Sequence, residues 1–121
     1  MCKSKINANF SGGEKKFSEI TQVIATNPKF IIFDEVDSGV DLKNLEKIIN
    51  IIKNWHSKNN SALVITHNPK VVELLKPDLI YVLLNGKIIC SSNDWNKIYH
   101  TIKKYGYEKC EKCQMRKLYS N

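Results

Sequence analysis

Phe30-Ile31-Ile32-Phe33-Asp34-Glu35 decides the fold: four bulky apolar residues in succession, closed by two acids. A half-exposed strand alternates apolar with polar residues, so the uninterrupted run predicts a parallel-sheet strand buried on both faces. Its carboxylates then lie at the strand's C-terminal end. In open α/β sheets that edge is where ligands bind, and adjacent acids there can serve a metal-phosphate complex, one holding Mg²⁺ and one activating water. Two solvated acids at a strand exit are the competing reading, and the dipeptide taken alone favours it, because short motifs match by chance.

One helix length upstream stands Ser11-Gly12-Gly13-Glu14-Lys15. Ser11 followed three residues later by Glu14 has the form of a capping box, and Phe17, Ile20, Thr21 and Ile24 recur at helical spacing, so a helix is expected from about Ser11 to Thr26, ending near Asn27-Pro28. A cap does not ask for Gly12 and Gly13. Glycine in a helix interior costs roughly 1 kcal/mol against alanine. What it offers is bare backbone N–H at the positive end of the helix dipole, where a phosphate can approach closely.

Downstream, Val36-Asp37-Ser38-Gly39-Val40-Asp41 leads into a second helix opened by Asp41, with Leu45, Ile48, Ile49, Ile52 and Trp55 on one face. Ser57 to Ser61 is turn-like, and Ala62 to Thr66 is a further strand that runs into His67. Strand-helix-strand order implies a parallel crossover. Asn68 can cap a short helix beginning at Pro69 and running through Leu75. Asn85-Gly86 between Leu79–Leu84 and Lys87–Ser91 is a strong two-residue hairpin signal.

Taken in order, the glycine string, the Asp34-Glu35 strand, the Val36–Asp41 loop and Val64-Ile65-Thr66-His67 resemble the signature loop, Walker B strand, D-loop and switch histidine of the ABC-type ATPase domain. Within that superfamily Phe10–Lys16, Asp34–Asp41 and Lys76–Ile88 are similar to the iron-sulfur cluster assembly ATPases of the SufC type; transporter ATPases tend to carry Pro-Thr-like pairs after the catalytic acid, where this chain has Val36-Asp37. The similarity runs from about Asn7 to Tyr107. It departs at Phe17, where the family often has arginine, and at Val40, where the D-loop has leucine. The fold class implied is α/β, a partial P-loop NTPase domain with a mostly parallel sheet and a C-terminal hairpin, over residues 1–107.

The resemblance also implies roles. Glu35 is the expected general base or water-orienting acid, Asp34 the expected support for Mg²⁺, and His67 the expected contact to the terminal phosphate of ATP. Ser11, Gly12, Gly13 and Glu14 belong to the loop that touches ATP held by an opposite subunit, and Ser38 and Asp41 to the contact between subunits. The partners implied are a second ABC-type ATPase subunit and a SufB-like scaffold protein. A Walker A loop, Gly-x-x-x-x-Gly-Lys-[Ser/Thr], occurs nowhere in the 121 residues. That loop forms most of the phosphate cradle, so the expectation is a truncated or split ATPase, inactive alone and completed by a missing N-terminal half. Two other classes stay open. One is a noncatalytic module that presents its signature loop to a partner. The other is a DNA-repair or chromosome-structure ATPase, which should carry coiled-coil heptads before the signature; none precede Ser11.

The net charge is +7, and the excess gathers late in the chain, where Lys97, Lys103, Lys104, Lys109, Lys112, Arg116 and Lys117 face only Glu108 and Glu111. Such a cluster reads as a solvated face or frayed tail, and no recognised nucleic-acid module accompanies it, so nucleic acid is not an expected partner. No window of 18 or more apolar residues and no leader pattern occurs, which places the expectation in the cytoplasm. Residues 108–121 form a basic tail containing Cys110-Glu111-Lys112-Cys113, whose spacing suits a shared metal such as zinc or contact with an iron-sulfur cluster. A closed zinc site needs four ligands and no second such pair exists, so an inert pair is the leading reading, with a metal site and a redox or intersubunit role open behind it.

Overall fold

The computed structural model describes residues 12–106, which form two compact units divided between Leu75 and Lys76. The first contains α1 (Gly12–Ala25), β1 (Phe30–Asp34), α2 (Leu42–Trp55), β2 (Ser61–Ile65) and α3 (Pro69–Leu75). The second contains β3 (Ile80–Leu84), β4 (Lys87–Ser92) and α4 (Trp95–Tyr105).

In the first unit β1 and β2 pair in parallel, from Phe30 opposite Ser61 to Asp34 opposite Ile65. The crossover between them is α2, whose stripe of Leu45, Ile48, Ile49, Ile52 and Trp55 is wholly buried, as its helical spacing predicts. Ile20 of α1, Ile31 and Phe33 of β1, Val36, and Ile48, Ile52 and Trp55 of α2 form one core cluster. Phe33 meets Trp55 edge to face, with ring centroids 6.2 Å apart. Leu45 and Ile49 form a second cluster with Val71 of α3. Each fully buried side chain of this size contributes about 1.5–3 kcal/mol, so α2 is the element around which the unit is built.

The expectation that β1 is covered on both faces is corrected here. Ile31 and Phe33 are 7% and 3% exposed, whereas Phe30 and Ile32 are 55% and 56% exposed. Both α1 and α2 pack on the Ile31/Phe33 face. Phe30 and Ile32, with Leu63 and Ile65 of β2, therefore leave the opposite face of the sheet apolar and open to solvent.

Local chemistry ends the elements where expected. Asn27, after α1, adopts φ 49°, a left-handed conformation that asparagine tolerates, and its N–H bonds to the Ile24 carbonyl. Asn68 Oδ1 accepts from the Lys70 N–H at 2.9 Å and so caps α3.

In the second unit β3 and β4 form an antiparallel hairpin whose turn has φ 51° at Asn85 and 75° at Gly86, the pair of positive angles that a type I′ turn requires. Cys90 pairs with Val82 and Ile88 with Leu83, which leaves Ile89 as an extra residue in the register; it is buried. Asp94 caps α4 by accepting from the Lys97 N–H at 3.2 Å. Among the described residues no helix is long and apolar enough to cross a membrane.

Candidate functional site

The parallel register brings the exits of β1 and β2 to the same end of the sheet. Asp34 is the last residue of β1 and pairs with Ile65, and the Glu35 N–H donates to the Ile65 carbonyl at 2.8 Å, extending the ladder by one residue. Glu35 then turns away with φ 49°, a left-handed angle that costs a non-glycine residue roughly 1–2 kcal/mol. Two contacts act on its carbonyl, which accepts from the Ser38 N–H at 3.1 Å and from Lys16 Nζ of α1 at 3.2 Å.

Two residues beyond Ile65, His67 places Nδ1 3.2 Å from Glu35 Oε1. The two side chains are 79% and 50% exposed, and an exposed pair of this kind is worth at most about 1 kcal/mol in stability. The pair consequently leaves a carboxylate and an imidazole available together at the C-terminal edge of a parallel sheet, the edge at which α/β proteins bind ligands. A carboxylate can take a proton from water, and a ring nitrogen can donate to an oxyanion. Asp34, adjoining Glu35 in the chain, is exposed, and its hard oxygens suit Mg²⁺, which is commonly held by one or two carboxylates plus phosphate oxygens and water.

Gly12 and Gly13 are the first two residues of α1 and carry no Cβ. At Gly13 the reason is packing. A Cβ there would lie 2.8 Å from Asn44 Nδ2 and 2.9 Å from Asn44 Cβ, so α1 and α2 approach too closely for any side chain. At Gly12, among the described residues, a Cβ would meet only the Gly39 carbonyl, at an ordinary 3.7 Å. Glu14 stands exposed in the first turn of α1, while Ser11 lies outside the described residues. Asp41 occupies the N-cap position of α2, but its carboxylate accepts from Asn44 Nδ2 at 2.6 Å instead of from the backbone. Ser38 is exposed on the loop between β1 and α2. Glu35 and His67 are thus in contact, Asp34 adjoins Glu35 in the chain, and Gly13 and Asp41 meet at Asn44.

Two residues without an assigned role in the sequence join the two strand exits from beneath. Asp37 is only 7% exposed, and its Oδ1 accepts from Thr66 Oγ1 at 3.0 Å; Thr66 Oγ1 in turn accepts from the Asn68 N–H at 3.0 Å. Asp37 lies in the quoted D-loop string, but nothing in the spacing announces a partner 29 residues away. Among the described residues no three His, Cys, Asp or Glu side chains converge as a metal site, and Cys90 is a free, half-buried thiol. Cys110 and Cys113 lie outside the described residues, so a zinc or iron-sulfur role for them has no structural support.

Comparison with known proteins bears on the family and the fold. Residues 7–73 match the family model described as "AAA domain, putative AbiEii toxin, Type IV TA system". The chain is 47% identical over 88 residues to the iron-sulfur cluster assembly protein SufC of Plasmodium falciparum, which covers 73% of this chain and 25% of that protein. A probable ABC transporter ATP-binding protein of Streptococcus pyogenes serotype M3 is 37% identical over 93 residues, covering 77% of this chain and 36% of its own length. Among solved structures, a nucleotide-free ATP-binding cassette from an ABC transporter superposes with a TM-score of 0.70 at 28% identity, over 84% of this chain and 40% of that one. The chain therefore spans well under half the length of each. With more than half of its residues matched by the family model and the cassette fold shared, the chain belongs to the ABC-type ATPases, as a part of their ATPase domain.

Proposed function

We propose that this chain supplies the signature-loop and Walker B part of a SufC-like ATPase that hydrolyses ATP for iron-sulfur cluster assembly, acting with a segment that carries a Walker A loop. The observation that carries the reading is the contact of Glu35 with His67 at the C-terminal ends of two adjacent parallel strands, with Asp34 next to it. Glu35 Oε1 accepts the proton of the attacking water or orients it. His67 donates to a terminal phosphate oxygen through Nε2, since Nδ1 faces Glu35; a ring that donates at both nitrogens carries two protons. Asp34 would hold Mg²⁺, which when bound would supply positive charge to offset that of the phosphates. Gly12, Gly13, Glu14 and Ser11 present the start of α1 to ATP held by an opposite subunit, and Ser38 and Asp41 contact that subunit.

The open apolar face of the β1–β2 sheet supports the requirement for a completing segment, because Phe30, Ile32, Leu63 and Ile65 are too large a cluster to leave in water without cost. Val36-Asp37 in place of a Pro-Thr-like pair supports the assembly-machine reading over a transporter, as does the name of the Plasmodium falciparum relative. On that reading the partners are an ABC-type ATPase subunit and a SufB-like scaffold, in the cytoplasm. The test is complementation. The chain alone binds ATP weakly and turns it over at background rate; adding a matching Walker A half restores hydrolysis, and both Glu35→Gln and His67→Ala abolish it. A mutant complex that hydrolyses ATP as fast as the wild-type complex overturns the catalytic assignment.

A further inference from the structure

We infer that Asp37 is a positioning residue that sets His67 against Glu35, acting through the Thr66 hydroxyl. A carboxylate that is 7% exposed has given up most of its hydration, which is costly unless hydrogen bonds replace it. Asp37 lies two residues after Glu35 and Thr66 lies one residue before His67, so their bond at 3.0 Å joins the same two loops as the exposed Glu35–His67 contact.

Thr66 has a single hydroxyl hydrogen. Donating it to Asp37 fixes the χ1 rotamer and turns the oxygen's lone pairs toward the Asn68 N–H, which donates at 3.0 Å. His67 lies between these two anchored residues. Its backbone is consequently held on both sides while its ring stays 79% exposed. The Glu35 side is held from the same loop: the Ser38 N–H bonds to the Glu35 carbonyl and the Val40 N–H to the Asp37 carbonyl, so the segment bearing Asp37 is a folded pair of turns. A weak, solvent-exposed contact such as Glu35–His67 cannot align itself, and a part-buried bond to a carboxylate between the same two loops can. Asp37 touches no reacting atom in this scheme. It acts by fixing the separation of the two loops from which Glu35 and His67 project.

The catalytic consequence rests on the function proposed above, whereas the positioning itself can be measured in the isolated chain. Four variants separate the hydroxyl's direction from simple volume: Asp37→Ala and Thr66→Val break the bond, and Asp37→Asn and Thr66→Ser keep an acceptor and a donor in place. In the isolated chain, NMR is expected to show the imidazole resonances of His67 displaced in Asp37→Ala and Thr66→Val, with exchange of the Asn68 amide about tenfold faster, the scale of one lost net hydrogen bond. Thr66→Ser and Asp37→Asn are expected to retain the wild-type His67 signals. In the complex with a Walker A half, the two breaking variants are expected to lose roughly 100-fold in kcat, the cost of misplacing a group by about 1 Å, with KM for ATP unchanged within about twofold. Unaltered His67 resonances in folded Asp37→Ala and Thr66→Val, or Thr66→Ser behaving like Thr66→Val, overturn the inference. A wild-type complex without hydrolysis overturns the proposed function instead and leaves the NMR result to decide the positioning role.

Discussion

Replacing Gly13 by alanine tests which of two physical demands sets that position. In an open helix the change is favourable, because alanine exceeds glycine by about 0.5–1 kcal/mol in helix propensity. Against this stands the close approach of α1 and α2: the new Cβ would lie 2.8 Å from Asn44 Nδ2 and 2.9 Å from Asn44 Cβ. The Asn44 amide could rotate away, with loss of its 2.6 Å bond to Asp41, but its Cβ is fixed to the α2 backbone. That backbone cannot yield easily, since Leu45 and Ile48 beside and one turn beyond Asn44 are 3% and 0% exposed. Overpacking of this kind costs about 1–3 kcal/mol, so the net expectation is a loss of about 1–2 kcal/mol, or a decrease of about 0.5–1 M in the urea midpoint of a small domain. Urea titration of the full chain measures it, with Gly13→Ala, Asn44→Gly and the double variant forming a cycle. The double variant should recover at least about 1 kcal/mol relative to the sum of the single changes. A Gly13→Ala chain as stable as wild type, with no coupling to Asn44, would refute the packing argument and return Gly13 to the phosphate-approach reading alone.

Three further outcomes are expected. Ile48→Ala, at a position with no exposed surface, should destabilise the chain by about 2–5 kcal/mol, read as a shifted or lost denaturation transition. Ile32→Asp should leave the stability of the isolated chain within about 0.5 kcal/mol, because the side chain is 56% exposed, yet it should abolish association with a Walker A half in sedimentation experiments. Undiminished association would show that the open sheet face is not where the completing segment binds. Gly86→Val should cost about 1–2 kcal/mol through its φ of 75° and weaken amide protection along β3 and β4, whereas Asn85→Gly should be tolerated.

Much of the fold was legible in the residue pattern, for reasons that are local. The α2 stripe from Leu45 to Trp55 repeats at helical spacing, and all five side chains are buried. Asn85-Gly86 accepts two successive positive φ angles, which few other dipeptides do at low cost, and Asn68-Pro69 both caps and begins a helix. The order of the glycine string, Asp34-Glu35, the Val36–Asp41 loop and His67 likewise indicated the ATPase family before any tertiary contact was considered. Tertiary structure alone decided the rest. Four apolar residues in a row imply burial on both faces, but burial depends on what packs there, and α1 and α2 share one face of β1. The paired glycines pointed to a phosphate, and the close approach of two helices adds a packing demand at Gly13 that the sequence did not announce. Asp41 has the identity and place of a cap, yet Asn44 takes its carboxylate. Asp37 and Thr66 are brought together only when the crossover sets β1 beside β2, and no periodicity records a hydrogen bond between residues so far apart in the chain. Sequence thus determined the elements whose causes lie within a few residues, and tertiary structure decided every property that depends on which distant surfaces meet.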